Sequence, residues 1–289
     1  MKVLVTGAGG QLAHAVAARM QATHQVIALT RKELDLARYL DVMDVVREEQ
    51  PDAIINGAAY NDVDGAEDDP VAALAVNALG VRALAQAAVA TRAIFVHFST
   101  DFVFDGDGDQ PYTEQSIPNP QSSYAISKLI GEWFAAEAKH YILRVESLFG
   151  GGLLPFREGR RRGSSLDRIA DAILAGKEVR AFTDRTVTPS YIDDVAEATA
   201  VLLALAPPEG VYHCVGSGMG TWMDVATHLA AELNRSSRII PVQMATVKLK
   251  AKRPQFCALS NVKLRSLGIA MPTWQDAVSR YAKARLAGV

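Results

Sequence analysis

The chain is 289 residues long, 49% of them hydrophobic, and carries a formal net charge of -2 at pH 7. This length and composition provide for a packed core in one large domain or two smaller ones. A charge this close to zero gives no overall basic field, which argues against nucleic-acid and membrane partners and favours small-molecule chemistry.

No segment has the pattern of an export signal or a membrane span. Residues 1–7 become glycine-rich too early to form the apolar core of a signal peptide. The most apolar stretch, residues 72–90, is interrupted by Asn77, Arg82 and Gln86, whereas a membrane span needs about 20 mostly apolar residues. We therefore expect a soluble, cytoplasmic protein.

Metal and disulfide patterns are also missing from the sequence. Its two cysteines, Cys214 and Cys257, lie far apart without CxxC spacing, so neither a disulfide framework nor a zinc site is indicated. The six histidines show no paired ligand spacing. We expect both cysteines to be reduced thiols in the core, and we expect no bound metal.

Short β-branched runs alternate with helical patterns through the first half of the chain. Strands are predicted at residues 3–6, 26–29, 53–56, 93–99 and 141–144. Helices are predicted at residues 11–20, 39–50, 71–89 and 124–138. Parallel strands need crossover helices, and continuous apolar runs such as Ile94-Phe95-Val96 suit strands covered on both faces. The pattern predicts an α/β protein with a doubly wound parallel sheet.

The alternation loosens beyond residue 144, where the predicted elements become more widely spaced. Helices are predicted at residues 166–175, 192–205, 221–234 and 274–286, and a strand at residues 211–215. We expect residues 1–145 to form one domain and residues 146–289 a smaller region, some of whose segments return to the first domain.

A glycine loop, Gly7-Ala8-Gly9-Gly10, follows the first predicted strand and precedes an amphipathic helix. Glycine permits a tight turn and lets backbone N–H groups approach a pyrophosphate at the positive end of the helix. Ala13 stands where a third glycine is usual, but alanine is also small enough for close packing. An ordinary βα turn can use such glycines too. The setting favours a Rossmann dinucleotide site that includes Gly7, Gly10, Gln11 and Leu12.

The second predicted strand ends in Ala28-Leu29-Thr30-Arg31-Lys32. It lacks the acidic residue that would bond the adenosine ribose 2′-hydroxyl of NADH. Arg31 can meet a 2′-phosphate instead, so the sequence favours NADPH as the cofactor and leaves NADH open. The alternative is that Arg31 and Lys32 are solvated surface charges.

Tyr124 and Lys128 lie near the start of a predicted helix, one turn apart on the same face. A tyrosine with a pKa near 10 is a poor acid–base group at neutral pH, but a nearby ammonium stabilises the phenolate and lowers that pKa. We expect Lys128 to act on Tyr124 in this way. A Tyr-x-x-x-Lys pair alone is often a surface pair, so the neighbouring motifs decide its meaning.

Polar residues end the strand that is predicted before that helix. Ser99-Thr100-Asp101 lies at the carboxyl edge of the sheet, where such folds bind ligands. The Thr100 hydroxyl can donate there to a substrate oxygen. Asn77, in the preceding helix, supports a helix distortion or a water relay, or is a buried amide whose hydrogen bonds are satisfied.

Further segments complete a family pattern. The matching residues are 7–12, 34–36, 56–60, 63–64, 66–67, 99–106, 124–132 and 252–254. The most specific motif is Ser-Thr-Asp-aromatic-Val-Phe-Asp-Gly at 99–106, followed by Tyr-x-x-x-Lys-Leu-x-Gly-Glu at 124–132. Together they resemble the extended short-chain dehydrogenase/reductases and, within them, the dTDP-4-dehydrorhamnose reductase family. The resemblance implies a Rossmann sheet with a smaller C-terminal substrate-binding region.

This resemblance implies hydride transfer from NADPH to the C4 keto carbon of a nucleotide-linked 6-deoxyhexose. Tyr124 would protonate the forming alkoxide, Lys128 would hold the nicotinamide ribose, and Thr100 would polarise the carbonyl. The further cofactor-binding residues that it implies are Asp35, Leu36, Ala58, Ala59, Tyr60 and Asn77. The substrate-binding residues that it implies are Asp101, Phe102 and Arg253. The resemblance is also compatible with assembly as a homodimer.

Two segments depart from the family pattern. Arg144-Val145-Glu146-Ser147 stands where that pattern reads Arg-Thr-Ser-Trp, so Ser147 replaces the aromatic residue that would cover the sugar. The arginine-rich segment 157–162 can clamp a diphosphate through charge-assisted bonds or form a solvated loop. Three functions stay open: the reductase, a related epimerase or dehydratase, and a non-catalytic NADP-binding regulatory subunit.

Overall fold

Six parallel strands form a central sheet in the computed structural model, which describes residues 1–150 and 163–288. The strands are β1 (Lys2–Thr6), β2 (Gln25–Leu29), β3 (Ala53–Asn56), β4 (Ile94–Thr100), β5 (His140–Val145) and, after four strands that lie outside this sheet, β10 (Gly210–His213). Their order across the sheet is β10-β5-β4-β3-β1-β2. β2 lies on one side of β1, and β3 with the strands that follow it lies on the other side. The carboxyl ends of β1 and β3 therefore border the crevice where open α/β sheets bind ligands.

Helices cover both faces of this sheet, and others pack in the second half of the chain. In chain order they are α1 (Gln11–Gln21), α2 (Tyr39–Glu49), α3 (Gly65–Asp68), α4 (Pro70–Leu74), α5 (Gly80–Thr91), α6 (Ser123–Ala135), α7 (Ser165–Leu174), α8 (Ile192–Leu205), α9 (Trp222–Glu232), α10 (Val262–Ser266) and α11 (Trp274–Leu286). On one face α1 and α8 pack over Val3 and Val5, and on the other α2 and α5 pack over Leu4. This arrangement confirms the predicted doubly wound α/β fold.

The remaining short strands surround a second hydrophobic cluster with α7, α9 and α11. They pair as β6 (Leu148–Phe149) with β9 (Ser190–Tyr191), β7 (Val179–Phe182) with β12 (Ile239–Val242), and β8 (Thr186–Val187) with β11 (Gly220–Thr221). Strands this short show no periodicity, so the sequence did not reveal them. β10 is a strand of the central sheet, and α8 packs on one face of that sheet, so parts of the second half return to it. The boundary at residue 145 stays a prediction.

The helix predicted at 71–89 is divided in the structure. α4 leads into a π-helical turn, Ala75–Leu79, and then into α5. The whole stretch, Pro70–Thr91, is long and apolar enough to span a membrane, with a mean hydropathy of 1.5, but 56% of its most apolar window is buried inside the protein. It packs against α6 and α2, which is the behaviour of a core helix.

Candidate active site

A cavity of about 430 Å³ opens at the carboxyl ends of the strands around the change in sheet direction. We call it the switch-point cavity. Its lining brings together most of the residues predicted to bind a cofactor: Gly7, Gly10, Arg31, Asp35, Leu36, Ala58, Ala59 and Tyr60. The loops after β1, β2 and β3 each contribute to it, so residues far apart in the sequence border one space.

The glycine loop forms a close backbone cradle in this cavity. Gly7 has φ +71°, and a Cβ there would lie 2.5 Å from the backbone nitrogen of Ala58, so only glycine fits. Gly10 is the N-cap of α1 and has no side chain to bond the first N–H groups of the helix, which stay available to an anion. A Cβ on Gly57 would lie 2.7 Å from the Cβ of Ala13. Because Gly57 has no Cβ, there is room for alanine at position 13, where a third glycine is usual.

Arg31 and Asp35 form an ion pair at the rim of the switch-point cavity, with 3.2 Å between Arg31 Nε and Asp35 Oδ2. The Arg31 side chain is 81% exposed and is free to turn toward a ligand. Burial raises the pKa of Asp35, but hydrogen bonds from the Ala37 backbone and from Arg31 outweigh this effect and lower it overall. The rim therefore carries a basic group whose charge is partly balanced by a carboxylate.

A second cavity, of about 550 Å³, shares Gly10, Gly57, Ala58 and Ala59 with the first. We call it the reaction cleft. Its lining includes the predicted residues Gln11, Leu12, Thr100, Asp101, Phe102, Tyr124 and Lys128. The residues predicted for catalysis and those predicted for the cofactor thus border one continuous space.

The start of α6 holds Tyr124 and Lys128 in the reaction cleft. The N-cap Ser122 accepts a hydrogen bond from the Ala125 backbone, which fixes the first turn of the helix. Lys128 is buried, and its Nζ donates a 2.6 Å hydrogen bond to the carbonyl oxygen of Phe98. The ring of Phe102 meets that of Tyr124 edge-on at 5.7 Å. Both motif side chains are therefore held in place by their neighbours.

The expected direction of the Tyr124 pKa is wrong. Burial, and then the charge of Asp101, raise this pKa above its ordinary value, and a hydrogen bond from Thr100 lowers it only in part. Burial also lowers the pKa of Lys128 to about 8, against a smaller opposing effect of Glu132. Desolvation opposes ionisation of the tyrosine, so it stays a neutral phenol that holds its proton.

Asn77 lies in the π-helical turn and is fully buried. Its Oδ1 accepts from the Tyr60 backbone at 2.8 Å, and its Nδ2 donates to Tyr60 O and to Ser127 Oγ. A Cβ on Gly131 would lie 2.2 Å from the Asn77 carbonyl oxygen, so the turn and α6 approach closely. The structure thus combines two of the readings proposed for Asn77, a helix distortion and a satisfied buried amide that positions Tyr60.

Arg253, predicted to bind substrate, is engaged elsewhere. Its Nη1 and Nη2 donate to the two carboxylate oxygens of Asp64 at 3.0 and 2.9 Å, and Nη1 also donates to the carbonyl of Ala251. Arg253 joins the C-terminal segment to the loop before α3 in this way, and its role toward a substrate stays a prediction. The arginine-rich segment 157–162 lies outside the described residues.

Sequence reasoning did not find a buried ion cluster beside the reaction cleft. Asp101 and Glu146 are 4% and 2% exposed, and their carboxyl groups and the Cys257 sulfur approach within 4.8 Å of one another. The Nη2 of Arg185 lies 3.8 Å from that sulfur. Such spacing can also suit a metal ion, but the guanidinium of Arg185 already supplies positive charge. No local pattern links these residues, because they come from four separate segments.

A third cavity, of about 320 Å³, lies in the C-terminal half; we call it the outer cavity. Three arginines and two aromatic residues line it: Arg168, Arg180, Arg185, Phe182 and Trp222. Ser165 borders the outer cavity, and the adjacent Ser164 borders the reaction cleft. The start of α7 therefore borders both spaces, and the combination of guanidinium groups and aromatic rings suits an aromatic anion.

The fold and the cleft define a dinucleotide-binding α/β protein of the Rossmann type with a buried Tyr-x-x-x-Lys pair. A family model described as the RmlD substrate binding domain matches residues 1–286. The chain belongs to this family, which confirms the resemblance found in the sequence.

Individual relatives agree with this assignment. The chain is 34% identical over 299 residues to a dTDP-4-dehydrorhamnose reductase of Burkholderia thailandensis, covering 96% of this chain and 97% of that protein. It is 33% identical over 287 residues to the spore coat polysaccharide biosynthesis protein SpsK of Bacillus subtilis, with 98% of each chain covered. A dTDP-4-dehydrorhamnose reductase of Bacillus anthracis, solved in complex with NADP, gives a TM-score of 0.89 at 29% identity, covering 97% of this chain and 98% of that one.

Proposed function

We propose that this protein uses NADPH to reduce the 4-keto group of a nucleotide-activated deoxysugar. The observation that carries the proposal is the continuity of the switch-point cavity with the reaction cleft that contains Thr100, Tyr124 and Lys128. Relatives that are named dTDP-4-dehydrorhamnose reductases support this substrate class, and the Bacillus anthracis relative binds NADP.

The residues of the switch-point cavity fit the proposed cofactor. The backbone cradle at Gly7 and the free N–H groups at the start of α1 suit a pyrophosphate. Arg31 at the rim suits a 2′-phosphate through charge-assisted hydrogen bonds, and Lys128 suits a ribose hydroxyl. NADPH, when bound, supplies the hydride.

The side chains of the cleft provide the proton chemistry. The Thr100 hydroxyl, which donates to Asp101 Oδ1 at 3.0 Å, turns toward the substrate carbonyl oxygen, donates a hydrogen bond to it and polarises it. Tyr124 protonates the oxygen as negative charge forms there, and its raised pKa keeps it in the acid form until that moment. Lys128, with its pKa lowered to about 8, is still mainly an ammonium at neutral pH. Its positive charge then stabilises the phenolate that Tyr124 leaves behind.

The outer cavity lies on the other side of the start of α7 from the cleft. Its Arg168 and Arg180 suit a diphosphate, and Phe182 and Trp222 suit the face of a base. Ser147 lines the cleft where the family pattern has an aromatic residue, which leaves room beside the sugar. We infer from this room that the enzyme accepts a sugar with a larger substituent than the family pattern would allow.

The test is NADPH oxidation by the purified protein, supplied in turn with 4-keto-6-deoxyhexoses linked to dTDP, GDP and UDP. Tyr124→Phe should lose about 10²-fold or more in kcat, the usual contribution of a general acid, with NADPH affinity unchanged. Tyr39→Phe, an exposed tyrosine on α2, is the matched control. No oxidation with any of these substrates would refute the reductase, and tightly retained NAD after purification would favour an epimerase or dehydratase.

A further inference from the structure

The buried cluster beside the reaction cleft contains two carboxyl groups and one permanent cation. Asp101 follows β4 and Glu146 follows β5, so both lie at the carboxyl edge of the sheet. Arg185 packs over the Phe102 ring at 5.7 Å and provides the guanidinium. Burial raises the pKa of the Cys257 thiol, so it stays neutral. Two carboxylates beside one guanidinium would leave an unbalanced buried charge, which is costly.

Charge balance is reached when the two acids retain one proton between them. Burial raises the pKa of Asp101 to about 6, although Arg185 opposes this. Burial and the charge of Asp101 raise the pKa of Glu146 well above its ordinary value. Two neighbouring carboxyl groups that cannot both ionise titrate as a pair.

The hydrogen bonds of Glu146 leave one oxygen for that proton. Its Oε2 accepts from the Thr188 backbone at 2.8 Å and from the Thr188 hydroxyl. Its Oε1 is buried and has no hydrogen-bond partner among the described residues. An acid proton is therefore better placed on Oε1, the oxygen that does not already accept two donors.

Hydroxyl groups connect this pair to the proposed proton donor. Thr100 Oγ1 donates to Asp101 Oδ1 at 3.0 Å. Tyr124, Thr100, Asp101 and Glu146 all line the reaction cleft, so the Thr100 hydroxyl lies between the proposed proton donor and the carboxyl pair in the same space.

We propose that Asp101 and Glu146 share one proton at neutral pH and deliver it through the Thr100 hydroxyl to Tyr124 after each reduction. The shared proton moves to Asp101, which passes it to Thr100 Oγ1 as the Thr100 hydroxyl turns and its own proton moves to the phenolate oxygen of Tyr124. The pair then regains a proton from water once the product has left. This relay rests on the proposed function, because Tyr124 loses its proton only if it protonates the product. Glu146 stands where the family pattern has serine, so the carboxyl pair is a feature of this chain and not of the family pattern.

Infrared spectroscopy of the substrate-free protein tests the shared proton. Wild-type protein at pH 7 should show the carbonyl band of a buried carboxylic acid. Glu146→Gln and Asp101→Asn should each lose it, because the remaining carboxylate then balances Arg185 alone. Glu49→Gln, which alters a partly exposed pair with Lys2, should keep the band. An identical band in wild type and both cluster variants would overturn the proposal.

Kinetics test the delivery step. Glu146→Gln should keep its first-turnover rate, because Tyr124 starts protonated, but its steady-state kcat should fall by about tenfold or more and recover as the pH is lowered. A merely structural role would slow the first turnover as well and raise KM, and such a result would count against the relay, as would an unchanged kcat. Lack of turnover by the wild type would refute the proposed function, whereas the infrared measurement decides the shared proton without any substrate.

Discussion

The ammonium nitrogen of Lys128 lies 2.6 Å from the carbonyl oxygen of Phe98, to which it donates a buried hydrogen bond. This contact fastens α6 to β4 at the carboxyl edge of the sheet. It also fixes a positive charge in the reaction cleft, where the backbone carbonyl of Phe98 and the charge of the nearby Glu132 favour the ammonium form. Burial nevertheless lowers the pKa of Lys128 toward neutral pH.

We expect Lys128→Met to lower kcat by about 10²-fold or more, because the variant loses the charge that stabilises the Tyr124 phenolate. Since burial lowers the pKa of Lys128 to about 8, wild-type kcat should fall as the pH rises through that value and the lysine loses its charge. The variant should lack this alkaline limb. Lys139→Met, at an exposed position, is the control. A pH profile shared by wild type and Lys128→Met would contradict the assignment.

Arg31→Ala tests the cofactor preference. Removing a charge-assisted contact to the 2′-phosphate, a contact worth about 1.5–3 kcal/mol, should raise the KM for NADPH by about tenfold or more. The KM for NADH should not rise, because NADH has no 2′-phosphate. Arg38→Ala, a neighbouring exposed arginine that pairs with Asp41, should change neither value. Equal losses with both cofactors would assign Arg31 a structural role instead.

Ser147→Gly tests the backbone at the position where the family pattern has tryptophan. Ser147 has φ +43°, in the left-handed region that costs residues with a Cβ about 1–2 kcal/mol. Glycine should relieve this strain and raise the free energy of unfolding by about 1 kcal/mol, measured by urea denaturation. The same exchange within α11, Ser279→Gly, should lower it by about 0.5 kcal/mol. A loss of stability in both variants would show that Ser147 is unstrained.

The low pKa of His213 predicts part of the loss of folding stability at acid pH. Burial, and then the charge of Arg144, lower the pKa of His213 to about 3. Below its unfolded pKa of about 6.5 the unfolded chain binds a proton that the folded protein does not, so stability is lost as the pH falls, by about 1.4 kcal/mol per pH unit. His213→Gln should reduce this slope by that amount from about pH 6 to pH 4. His14→Gln, on the exposed side of α1, should leave it unchanged.

The sequence predicted the main elements and many residues that border the candidate site because their signals are local. Alternating β and α patterns are periodic, and the glycine loop and the Tyr124–Lys128 pair each lie within one short segment. The parallel sheet then brings the carboxyl ends of its strands to one edge. That geometry made it possible to predict that Thr100 and the glycine loop would meet.

Tertiary packing decided what no local pattern contains. The order of the strands, the return of β10 to the sheet and the short strands of the second half depend on contacts between distant segments. So does the direction of the Tyr124 pKa, because burial and the charge of Asp101 raise it more than hydrogen bonding with Thr100 lowers it. The sequence by itself thus determined the class of protein and its motif residues. Only the folded structure brought Glu146 and Arg185 beside Asp101, because desolvation and charge pairing act between side chains that the chain brings together only when it folds.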